Sequence, residues 1–148
     1  MDIESLLKSL NARCVDYVVI GARAFPVHGY SRSTLDIDIF IRSNPANAER
    51  VLHALRDFGY DVTDLTVDDL LSFKVLIRQY LVDADIHPFV TGITFDQVWR
   101  NKVSNLYGTT PASFASLDDL IQMKRAANRP KDQDDLNHLL AIKERESK

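Results

Sequence analysis

One short stretch constrains this chain more than any other. In Leu35-Asp36-Ile37-Asp38-Ile39-Phe40-Ile41 the first five residues alternate strictly between apolar and acidic. Alternation with period two marks a strand, because successive side chains leave on opposite faces. One face of this strand is apolar, and the other carries Asp36 and Asp38 close together. Asp is depleted in strands and like charges repel, so the pattern opposes local propensity without a local gain. Conflicts of this kind belong to functional sites. Hard divalent cations resolve them: Mg²⁺ takes carboxylate oxygens and keeps positions for water and substrate phosphate. A solvated strand face with its polar residues outward is the plainer reading of the same alternation.

The segment just before it supports the sharper reading. Tyr17-Val18-Val19-Ile20 is a short apolar run of β-formers ended by Gly21, the pattern of a buried strand. Gly21 and Ala22 leave backbone N–H groups unshielded by large side chains. A brief helix starting there and released at Gly29 turns its N-terminus toward an anion, a cradle suited to a triphosphate. Arg32, Ser33 and Thr34 stand just upstream of the carboxylates and add phosphate contacts. A third acid is available in Asp83-Ala84-Asp85-Ile86-His87, where Asp83, Asp85 and His87 share a face. Either aspartate can complete a three-carboxylate set. Asp85 is favoured because Ala84 and Ile86 bracket it as Ile37 follows Asp36. His87 and His28 are read as packing or exposed groups before catalytic ones.

The remaining chain reads as ordinary α/β structure. Apolar residues at helical spacing predict a helix over 2–12, and Asn44-Pro45 opens another that Gly59 ends, with Ala46, Val51, Leu52, Leu55 and Phe58 inward. Thr66 begins a capping box before a helical turn near 67–71. The segments 73–80 and 81–88 are β-rich and expected to pair, and 95–103 is expected to be helical. Ser116-Leu117-Asp118-Asp119 is a second capping-box signature. Arg129-Pro130 breaks the helix that follows, and 132–145 is the last one. Phe95, Trp99 and Tyr107 read as packing groups, Cys14 as a small apolar filler, and Asp132 and Asp135 as capping or pairing residues of the last helix. With 148 residues and no repeat or linker, a single domain over 1–148 is expected, its C-terminal helical part at about 116–146.

These residues resemble the signature of the DNA-polymerase-β-like nucleotidyltransferase superfamily. There a hydrophobic strand ends in Gly followed by Gly or Ser, two acids one residue apart come about ten residues later, and a third acid lies on a later strand. Here Gly21-Ala22, thirteen intervening residues and Asp36-Ile37-Asp38 fill that pattern. The stretch YVVIGARAFPVHGYSRSTLDIDIFI is similar to the small prokaryotic branch of minimal nucleotidyltransferases and AbiEii/MenT-type toxins. Its most specific part is Arg32-Ser33-Thr34-Leu35-Asp36-Ile37-Asp38, matching R-x-T-x-D-h-D. The stretch SLDDLIQMKRAANRPKDQDDL is similar to the branch's C-terminal helix, which carries a Lys and then an Arg/Lys-Asp turn. The likeness runs from about residue 3 to 140. One departure stands out: Ala22 fills the second Gly/Ser position, removing a hydroxyl but keeping a small side chain and the backbone N–H.

The resemblance implies a mixed α/β (α+β) sheet flanked by helices, with Mg²⁺ or Mn²⁺ held by Asp36, Asp38 and Asp85. It implies transfer of a nucleoside monophosphate from an NTP such as ATP to a hydroxyl of tRNA, a protein or a small molecule, releasing pyrophosphate. In that scheme Asp85 is also a base for the acceptor hydroxyl, and Lys124 a phosphate contact. Gly21, Ala22, Arg32, Ser33 and Thr34 would line the nucleotide. The reading from a different class is a catalytically weak or inactive relative that acts as a toxin–antitoxin component or binding partner. So small a chain has no large separate acceptor-binding domain, so a small helical partner protein or a second copy is expected to complete the cleft.

Bulk properties bound these readings. The net charge of −3, from 18 basic and 21 acidic residues, excludes a surface that is basic throughout, though not a local basic patch such as residues 124–131. That run suits a solvated helix end as well as a polyphosphate or RNA contact. A single cysteine excludes an intramolecular disulfide framework, and no Cys/His spacing suggests structural zinc. The start, MDIESLLKSL, carries acid where a secretory signal needs base, and no apolar run approaches the ~20 residues that span a bilayer. A reducing cytoplasm is the expected location, with no membrane partner.

Overall fold

Four consecutive buried side chains make β1 (Tyr17–Ile20) a strand covered on both faces, and it lies near the middle of the sheet. The computed structural model describes residues 2–79 and 81–147. Besides β1 it contains β2 (Asp36–Ile41), β3 (Val75–Ile77), β4 (Asp83–His87), β5 (Val103–Tyr107) and β6 (Thr110–Phe114). They form one mixed sheet in the order β3-β4-β2-β1-β6-β5. β1 runs antiparallel to β2, and β4 lies parallel to β2 on its other side. A parallel neighbour needs a crossover. It is supplied by α2 (Pro45–Phe58), α3 (Val67–Ser72) and β3, which then turns back antiparallel onto β4. The expected pairing of 73–80 with 81–88 is this β3–β4 hairpin; Tyr80 lies outside the described residues.

Local chemistry sets the helix ends. Asp2 caps α1 (Ile3–Ala12) by accepting from the Ser5 N–H, and Leu6, Leu7 and Leu10 turn inward. Asn44 caps α2 ahead of Pro45, and Gly59, at φ +121°, ends it. The buried face of α2 includes Ala48 and Ala54 beside Val51, Leu55 and Phe58; Ala46, expected inside, is exposed. Asn47 on the same helix is fully buried. Its Oδ1 accepts from the Asp16 N–H, and its Nδ2 donates to the Asp16 and Arg42 carbonyls, fixing both strand ends. Thr66 and Asp69 form the complete capping box of α3.

Three expectations are corrected. The helix at 95–103 stops sooner: α4 (Phe95–Asn101) gives way to the β5–β6 hairpin, with Gly108 at φ +62° in its turn. Ser116 caps α5 (Leu117–Ala127), but Asp119 does not reciprocate. Its buried carboxylate instead accepts from Gln97 Nε2 at 2.9 Å, a tertiary partner outbidding the local one. Cys14 is exposed, in the turn after α1 at φ +55°. The last helix, α6 (Gln133–Glu146), follows a 3₁₀ turn at Pro130–Asp132. Among the described residues no helix is long and apolar enough to cross a membrane.

Candidate active site

The register of two parallel strands builds the site. Asp36 stands opposite Asp83, Asp38 opposite Asp85, and Phe40 opposite His87. Side chains that face each other across a ladder share a sheet face, so β2 and β4 line up four carboxylates and an imidazole in two adjacent rows. Ile37, Ile39, Ala84 and Ile86 alternate onto the other face and are fully buried. Their burial fixes the register, because a slip of one residue would send the acids into the core.

Asp85 is the deepest of the acids, only 6% exposed, while Asp36 and Asp38 are half-buried. Its Oδ1 has no hydrogen-bond partner among the described residues. Arg78 Nη1 comes within 2.9 Å of that oxygen and pairs with it as an ion pair. The same guanidinium stands 3.7 Å from Asp36 and 4.0 Å from Asp83. Burial pushes the Asp85 carboxyl above the usual range, Arg78 opposes that shift, and the charges of Asp38 and Asp36 reinforce it. On the other side, His87 Nε2 lies 2.9 Å from Asp38 Oδ1. One donor atom each from Asp38, Asp85 and His87 falls within 4.8 Å of the others.

Gly21 closes the end of β1 against this face. It adopts φ +69°, and a Cβ there would stand 2.5 Å from Asp38 Oδ2. Glycine is thus required by the close approach of a carboxylate as well as by the backbone. A 3₁₀ helix, Gly21–His28, starts at this point, with Ala22 buried in it and Gly29 at φ +99° ending it. His28 is a packing group, its Nε2 2.8 Å from the Ala115 carbonyl.

The loop that delivers β2 is fastened at several points. Arg23 Nη2 donates to the Thr34 carbonyl at 2.9 Å and its Nη1 to the Tyr107 hydroxyl, while Thr34 Oγ1 donates to Asp36 Oδ1 at 3.2 Å. Arg32 grips Asp135 with two parallel hydrogen bonds, 2.7 and 2.9 Å, and the Tyr30 hydroxyl adds a third. Lys124 Nζ lies 3.1 Å from both Asp135 and Asp132, and Arg129 makes a two-pronged contact with Asp132. Arg32 and Lys124, expected to meet phosphate, are therefore engaged by buried carboxylates of the C-terminal helices. Ser33 is exposed, its carbonyl accepting from Arg32. The basic run is partly an internal lock, and Asp132 and Asp135 reach Lys124 and Arg129 directly.

Asp36, Asp38 and Asp85 thus come together on one face, with Asp83 beside them. Arg78 escaped sequence reasoning. Its signal was present, since Leu76 and Arg78 alternate onto the face that Leu76 shares with Asp85, but only the β3–β4 register gives it meaning. A depression of about 390 Å³ adjoins the rows at Asp83, lined also by Arg23, Leu35, Val82 and Tyr107.

The donor set suits a divalent cation: clustered carboxylates, one of them buried, and a guanidinium already drawn among the acids. A family model described as "Nucleotidyltransferase of unknown function (DUF6036)" matches residues 1–146. No curated protein matches the chain significantly.

Proposed function

The chain belongs to this nucleotidyltransferase family, and on that premise we propose that it moves a nucleoside monophosphate from an NTP to an acceptor hydroxyl. The observation that carries the proposal is the β2–β4 register, which sets the buried Asp85 beside Asp36 and Asp38 on one sheet face. Crowded carboxylates repel one another unless cations lie among them, and here one guanidinium serves three of them. In this reading Asp36, Asp38 and Asp85 hold Mg²⁺ or Mn²⁺. When bound, the cation neutralises triphosphate charge and polarises the α-phosphoryl group.

The chain's own residues do the rest. The acceptor oxygen attacks the α-phosphorus, the bond from that phosphorus to the bridging oxygen breaks, and pyrophosphate leaves with the electron pair. Asp85, beside the reacting hydroxyl in this reading, takes its proton. Gly21 and Ala22 give the nucleotide close access to backbone at the start of the 3₁₀ helix. Arg32 and Lys124 act through Asp135, holding α6 against the loop that carries Ser33 and Thr34. Arg129, more than half exposed, is itself held by Asp132 through two hydrogen bonds. The acceptor is a hydroxyl of tRNA, a protein or a small molecule.

The test is incubation with each α-labelled NTP, Mg²⁺ or Mn²⁺, and total RNA or lysate. Label should transfer with the wild type and vanish with Asp36→Ala and Asp38→Ala. A wild type that binds no NTP in a metal-dependent way sinks the proposal and leaves a binding role, such as that of a toxin–antitoxin component.

A further inference from the structure

The depression beside Asp83 continues the acid rows outward. At about 390 Å³ it falls in the range of small-molecule sites, roughly 300–1,000 Å³. Its wall is apolar, formed by Leu35, Leu81, Val82 and the Tyr107 ring. Leu35 is 88% exposed, the most of any large apolar side chain among the described residues, although it stands directly before Asp36. The rim is acidic. Asp2 gives Oδ1 to Ser5 and Glu4 gives Oε1 to the Thr109 N–H, so each carboxylate keeps one oxygen without a donor among the described residues. Asp83 meets the Arg78 guanidinium only at 4.0 Å. Arg23 is the one basic residue of the lining among the described residues, and the fold engages it. Its three side-chain nitrogens donate to the Asp36 carbonyl, the Tyr107 hydroxyl and the Thr34 carbonyl.

Proteins hold nucleic acid by setting Lys and Arg on its phosphates, and this lining repels such a backbone. An apolar wall with an acidic rim accepts instead a compact molecule that carries no phosphate or carboxylate. We propose that the depression is the acceptor subsite, and that its occupant is a small hydroxyl compound, uncharged or cationic, with an apolar face against Leu35 and Tyr107. The proposal rests on the nucleotidyl-transfer reading above and selects among its acceptor classes. Asp85 lies two residues beyond Asp83 on β4, about 7 Å at the rise of a strand. An acceptor seated at Asp83 therefore extends its hydroxyl that far along the row. There the hydroxyl oxygen bonds the α-phosphorus as pyrophosphate leaves, and its proton passes to Asp85.

The experiment divides a cell lysate into RNA, protein and a dialysable fraction freed of anions by ion exchange. Each is supplied to the full chain with α-labelled NTPs and Mg²⁺ or Mn²⁺. Label is expected on a dialysable product alone. Leu35→Lys changes an exposed position that the core does not use, and circular dichroism should show it folded as the wild type. It should keep metal-dependent NTP binding and need about tenfold more of the dialysable fraction for half-maximal transfer. Label on RNA or protein, none on a dialysable product, or an unchanged requirement in Leu35→Lys would overturn this inference, and nucleotidyl transfer would stand wherever NTP still binds with metal. Absence of that binding in the wild type would overturn both.

Discussion

Two groups of buried aspartates sit in this small protein, and they are built in opposite ways. Asp132 and Asp135 are each 3% exposed, and Asp85 is 6% exposed, so burial does not separate them. Their partners do. Asp135 accepts from Arg32 and Tyr30 and pairs with Lys124, while Asp132 is held by Arg129 and Lys124. Arg129 and Lys124 together hold Asp132 down to about 2. Burial pushes Asp135 up, but its bonds to Arg32, Lys124 and Tyr30 prevail and leave it lowered. Burial raises Asp85, two like charges add to the rise, and the one guanidinium it shares with Asp36 and Asp83 does not offset it. Saturated carboxylates tie elements together; an undersupplied one is the group to which the proposed function assigns a ligand.

The sharpest way to break this contrast is by deletion. Asp135→Ala removes the carboxylate partner of Arg32 and leaves Lys124 with Asp132 alone, and should lower the unfolding free energy by roughly 1.5–3 kcal/mol in urea titrations. Asp85→Asn removes a charge from a repulsive row, and should stay within about 1 kcal/mol of the wild type without metal. Equal losses in the two variants would mean that both groups are structural. Metal sharpens the contrast. Mn²⁺ at tenfold its dissociation constant should stabilise the wild type by about 1.4 kcal/mol, read as a rise in Tm, and leave Asp38→Ala unmoved. The same rise in Asp38→Ala would move the ion away from the acid rows.

Acid gives a smaller effect with opposite signs in the two groups. Asp132 and Asp135 are lowered from 3.8, so their contribution to stability is full above about pH 4 and is lost as pH falls toward 2. Asp85 is raised, so the folded state holds its proton longer than the unfolded state does. Acidification from pH 7 through its raised pKa therefore adds stability. Denaturation midpoints against pH should show Asp85→Asn lacking the gain and Asp135→Ala keeping only the part of the acid loss that Asp132 supplies. Identical profiles for the two variants would remove the distinction.

These differences also mark what sequence alone reveals. The alternation of Asp36 and Asp38 between apolar residues states their shared face outright, and Gly21 after an apolar run places the strand end. Asp83, Asp85 and His87 reveal their common face but not their neighbour, because a parallel ladder is chosen by the crossover and not by local pattern. Arg78, Arg32 and Lys124 are exposed-looking basic residues until tertiary pairing assigns their carboxylates. The β5–β6 hairpin was hidden by Ser104, Asn105 and Pro111, polar and breaker residues on strands at the open end of the sheet. Nucleotidyltransferase membership was legible from residues 17–41 because there the chemistry is written in consecutive positions.

The parallel pairing of β2 with β4 also bears on how the chain folds. His87 and Asp38 are 49 positions apart, whereas β1 and β2 are joined by one short 3₁₀ segment and a loop. Local pairs close early and distant ones late. The apolar half of the sheet can therefore assemble before β4 arrives, and docking β4 brings Asp83 and Asp85 against Asp36 and Asp38. Docking of β4 is opposed by its own charges, so dissolved salt should quicken that step.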